Sequence, residues 1–145
     1  MRTLTFLAIV APLLGIAAAA AQTPSATGEL ALRDECSFTP PGMNECLAAK
    51  VEASMVELRD ARRFAIQRLD AGEEDGRYRR LAIWRLRAAD ASFERYRKAH
   101  CDFAASMGGG AIGHALNARR LACVADLNHR QAELLQRLVA DRPPR

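Results

Sequence analysis

From Leu47 to Leu69, apolar residues return at every third or fourth position: Leu47, Val51, Met55, Leu58, Ala61, Ala65 and Leu69. That interval is the turn of an α-helix. It collects an apolar stripe on one face and leaves Lys50, Glu52, Arg59, Arg63 and Asp70 on the other. The pattern starts near Asn44 and stops at Ala71-Gly72-Glu73-Glu74-Asp75-Gly76, an acidic turn with glycine on both sides. It recurs twice more. Arg77 to Ser106 carries two stripes, Leu81/Trp84/Ala88/Ala91 and Ile83/Leu86/Phe93/His100/Phe103, which predicts a central helix with neighbours on both sides. Ala115 to Ala140 carries Cys123, Leu127, Arg130, Leu134 and Leu138. No segment alternates with the period of a strand, and no internal repeat is evident. The expected fold class is all-α: a small three-helix bundle or extended helical hairpin.

The first residues set the compartment. Arg2 is followed by an uncharged apolar run, Leu4 to Ala20, and then by Ala19-Ala20-Ala21 in small-x-small order. This reads as a secretory signal peptide over residues 1–21, cleaved before Gln22. An uncleaved anchor competes with that reading, but the alanine-rich end and the polar Gln22-Thr23-Pro24-Ser25-Ala26-Thr27-Gly28 favour cleavage. The expected product is periplasmic or secreted, with no stable membrane span. Residues 22–35 are expected as a flexible start, 36–140 as the helical domain and 141–145 as a disordered tail. The whole chain carries a net charge of +4, of which the leader holds only Arg2. Export removes the nucleic-acid reading that a basic balance otherwise invites.

Export makes the cysteines informative. Cys36, Cys46, Cys101 and Cys123 all follow the leader, and an even count in a small exported domain implies two disulfides. Of three pairings, Cys36–Cys46 and Cys101–Cys123 are favoured, because each closes a local loop containing Gly or Pro. The spacings are too wide for a zinc site, and no other metal or cofactor is expected.

Motifs for chemistry are absent. Met107-Gly108-Gly109-Gly110-Ala111-Ile112-Gly113-His114 lacks the Lys and Ser/Thr of a phosphate-binding loop and follows no strand, so it reads as a pliable helix connection open to a partner. His100-Cys101-Asp102 is no nucleophile–base arrangement, since adjacent helical residues diverge and a bridged sulfur does not attack. His114 and His129 have no histidine at metal-binding spacing. Arg97 is expected to pair with a carboxylate or a loop carbonyl, and Arg130, among apolar neighbours, is expected to be partly buried and paired.

The order of these features resembles the LprI-type lysozyme-inhibitor family of small exported bacterial proteins. The resemblance rests on Cys36 followed by Met43-Asn44-Glu45-Cys46, then Phe93 with Tyr96-Arg97 and Cys101, then the glycine loop, then Cys123, Leu127, Arg130 and Leu134. Phe93 stands where the family usually has Trp, Gly109-Gly110-Ala111 replaces Gly-Gly-Ser, and Asn128 replaces the common Thr. The resemblance implies a non-enzymatic protein that blocks a muramidase cleft with an exposed loop. Residues 107–114, above all Gly108, Gly109, Gly110 and His114, or the turn at 40–42, would supply it. A basic chain gains no long-range attraction toward a basic lysozyme, and Glu73, Glu74 and Asp75 are the local acidic groups that could offset this. The alternative is an envelope interaction or stress protein that binds an anionic surface or another envelope protein through the Arg-rich second helix, with Arg79, Arg80 and Arg87 as its contacts. Oligomeric state is not legible in the sequence.

Overall fold

A computed structural model describes residues 28–39, 42–72, 75–109 and 113–140. The expected leader and the residues after it to 27, Pro40, Pro41, Glu73, Glu74, Gly110, Ala111, Ile112 and the tail 141–145 lie outside the described residues. Four helices follow in order: α1 (Glu29–Cys36), α2 (Met43–Asp70), α3 (Gly76–Ser106) and α4 (Gly113–Ala140). The fold is all-α, with no strand among the described residues, and it has four helices where three were expected.

The added helix is α1, in a stretch expected to lack regular structure. Eight residues are too few to hold a helix in water by propensity alone. α1 forms because Leu32 packs on the Leu47/Ala118/Ala122 cluster and Cys36 is bonded to Cys46. Tertiary contact, not local sequence, makes it a helix.

The contact pattern fixes the topology. Leu47 meets Ala118 and Ala122, while Leu58 and Ala61 meet Ala132 and Leu135, so α2 and α4 run parallel. α3 runs against both: Cys101 is bonded to Cys123, and Leu86 and Phe93 pack on the Leu58/Ala132 cluster. α4, not α3, is the central helix, touching α1, α2 and α3. Its inner seam is Ala118, Ala122, Ala125, Asn128, Ala132 and Leu135, all buried. Across it α2 buries Leu47, Ser54, Leu58, Ala61 and Ala65, while Met55, expected inside, is exposed. Small side chains on both seams let the backbones approach closely, which leaves no room for the larger residues of a wide apolar stripe.

Both disulfides are local: Cys36–Cys46 with Cα atoms 5.6 Å apart and Cys101–Cys123 with 5.5 Å. The first ties α1 to α2, and the second ties the end of α3 to α4. No described helix is long and apolar enough to cross a membrane.

Candidate functional site

Three places gather polar side chains. The first is inside the bundle. Asn128 is fully buried in the α4 seam. Its Nδ2 donates to Ser54 Oγ of α2 at 3.0 Å, and its Oδ1 accepts from Arg97 Nη1 of α3. Arg97 also lies over the Phe93 ring at 5.6 Å, so one guanidinium joins a buried amide to an aromatic face. Burial pulls the Arg97 pKa down, and nearby Glu94 opposes that. A neighbouring pair, Arg62 and Asp90, sits at 3.0 Å with no hydrogen-bond alignment, and burial raises Asp90 despite the cation beside it. These residues join the three long helices.

Arg97 thus pairs with an amide, where a carboxylate or loop carbonyl was expected. Arg130 corrects a second expectation: its side chain is 62% exposed and pairs with Asp126 at 2.8 Å. The buried member of that pair is Asp126. Tyr96 points outward beside His100, 3.4 Å from its Nδ1, and Leu127 is half-buried. Of the motif residues, only Phe93 and Arg97 converge.

The second place is a groove of about 290 Å³ between α1, α2 and α4. Ala31, Leu32 and Ala53 give it an apolar floor. Its rim charges are already paired: Lys50 with Glu35, Glu57 with His129 at 3.0 Å, and Asp126 with Arg130. Glu29, His100 and Cys123 bring ligand-type atoms within 4.8 Å of one another close by, but the Cys123 sulfur is bonded to Cys101 and offers no thiolate.

The third place is the end of the bundle where α1 and α3 finish and α2 and α4 begin. The topology brings Gly42, from one expected binding segment, and His114, from the other, together here. A recess is lined by Gly42, Met43, Asn44, Glu45, His114 and Ala115. Asn44 Nδ2 and His114 Nδ1 are 3.4 Å apart across it. Asn44 Oδ1 is buried without a partner. Gly42 starts α2 with a φ of 92° and provides no side-chain cap. The positive ends of two parallel helix dipoles therefore open at this surface. On the other flank, Gly109 has a φ of 59°, which glycine adopts without strain. A Cβ on Gly108 would come within 2.6 Å of Leu116 Cδ2.

The profile of the family described as lysozyme inhibitor LprI matches residues 35–135, which include both disulfides and all of this end surface. The chain belongs to the LprI lysozyme-inhibitor family. No curated protein and no solved structure matches it significantly. In this LprI chain, the sequence motifs mark the disulfides and the buried ladder that fix the scaffold. Ser54 and Asn44 were not legible as site residues. Ser54 falls on the apolar stripe one turn before Leu58, and Asn44 pairs with a residue seventy positions away.

Proposed function

We propose that the mature chain is an exported, non-enzymatic inhibitor of a muramidase, and that it acts with the end surface built from residues 42–45, 107–109 and 113–115. Family membership carries this reading, and the leader at 1–21 supports export. A glycosidase cleft holds two carboxyl groups across the scissile bond. The end surface offers what such a pair accepts: Asn44 Nδ2, the His114 imidazole, and the first-turn N–H groups of α2. Insertion of this end would occupy the cleft and exclude the glycan, with no bond made or broken. Glu45 in the first turn of α2 lowers the local positive charge, which eases approach to a basic enzyme.

The test is a titration of cell-wall lysis by several lysozymes with the chain starting at Gln22. Lysis should fall as the molar ratio approaches one. Asn44→Ala combined with His114→Ala should weaken inhibition by about tenfold or more, since both donors face the partner. Undiminished lysis at large molar excess overturns the inhibitor reading. Full inhibition by the double variant overturns the choice of surface.

A further inference from the structure

Among the described residues, nothing packs on the outer face of α3. Leu86 and Phe93 turn toward α2 and α4. Half a turn round the helix, Leu81, Trp84, Ala88 and Ala91 are all exposed, Trp84 by 64%. The sequence pattern predicted two neighbours for α3, and this second stripe is the one left without a neighbour. Tyr78 beside it is equally bare. Gly76 to Ala89 contains five arginines and no carboxylate. Arg79 turns inward toward Asp70, 3.8 Å away, so it is not one of the outward contacts. Arg77, Arg80, Arg85 and Arg87 are exposed along the stripe. The next acidic residue, Asp90, faces Arg62.

We propose that this face docks on the surface of an anionic phospholipid bilayer. A helix with a cationic edge and an aromatic-aliphatic stripe lies in the bilayer interface, with Trp and Tyr at the headgroup level. Guanidinium groups take phosphate oxygens in pairs while their stems lie over the apolar stripe. A second copy of the chain would set the same arginines against each other. The stripe runs from two large residues, Leu81 and Trp84, to two small ones, Ala88 and Ala91. A fluid bilayer conforms to such a face without a shaped partner. The proposal does not depend on muramidase binding.

Trp84 is the only tryptophan in the chain, so its fluorescence reports on this face alone. The chain starting at Gln22 contains every packed helix and no leader, so it is the form to use. Vesicles with about a third phosphatidylglycerol should shift Trp84 emission to the blue, and phosphatidylcholine vesicles should not. Raising salt from 50 to 500 mM should reverse the shift, because surface attraction is screened. Replacing Arg77, Arg80 and Arg87 together by Gln should lower partitioning by about a hundredfold, with helicity by circular dichroism unchanged. Leu81→Asp should also weaken binding. No shift with anionic vesicles overturns the proposal. So does a shift with soluble polyglutamate but not with vesicles, which would assign the face to an acidic protein. So does a concentration-dependent dimer that buries Trp84.

Discussion

At the scale of single residues, the fold depends on one buried amide. Asn128 has an arginine on one side and a serine on the other, and truncation removes the acceptor of Arg97 and leaves Ser54 only its bond to the Val51 carbonyl. An unsatisfied buried group costs about 1–3 kcal/mol, so Asn128→Ala should lower unfolding stability by that amount in a urea titration. Arg97→Met should cost less when made in the Asn128→Ala background, because the interaction it removes is already gone. His129 gives the second residue-scale prediction. Hydrogen bonding to Glu57 holds it above the ordinary imidazole value of 6.5, with Glu133 and Asp126 adding to the effect and partial burial opposing it. A folded pKa above the unfolded one means the stabilisation is complete below about 6.5 and lost as pH rises through the raised value. The wild-type Tm should fall over that rise more than the Tm of His129→Gln, and salt should narrow the difference because the ring is half exposed. Equal slopes for the two proteins would show that the contact contributes nothing.

At the scale of elements, α1 is the dependent one. It is eight residues long and is attached through Leu32 and one disulfide. Cys36→Ser with Cys46→Ser removes a cross-link worth about 3 kcal/mol in the chain-entropy picture. Amide exchange should then become fast over 29–36 while α2 and α4 keep their protection at Leu58 and Ala132. Uniform loss of protection would mean that α1 folds with the rest as one unit. The three long helices were legible because their apolar period runs for about four to six turns. α1 was not, since its helical state comes from contacts distant in sequence. The centrality of α4 was not legible either. Its seam is mostly alanine, which a hydropathy pattern weighs lightly, while α3 displays two stripes of which only one is covered.

At the scale of the whole molecule, two parallel helices and one antiparallel partner collect three chain reversals at opposite ends. The turn before α2 and the glycine loop before α4 share one end, and the acidic turn after α2 lies at the other. The four cysteines could be paired from spacing because each pair closes a short loop, and those pairs sit where the helices need joining. Of the recess lining, Gly42 and His114 were legible as members of two separate candidate segments. That Asn44 and His114 meet was not, because only the topology brings residues seventy positions apart into contact. Asp75, the described residue of the acidic turn suggested as a docking aid, caps the start of α3 at the far end from that surface and takes no part in the proposed contact. The account stands or falls on which surface engages the enzyme. Amide exchange of the mature chain mixed with an inhibited lysozyme measures this directly. The account predicts slowed exchange at residues 42–46 and 107–116 of this chain, and in the lysozyme segments that bear the cleft carboxyl pair. Unchanged exchange at that end, or protection confined to the α1–α2–α4 groove or the outer face of α3, would contradict it.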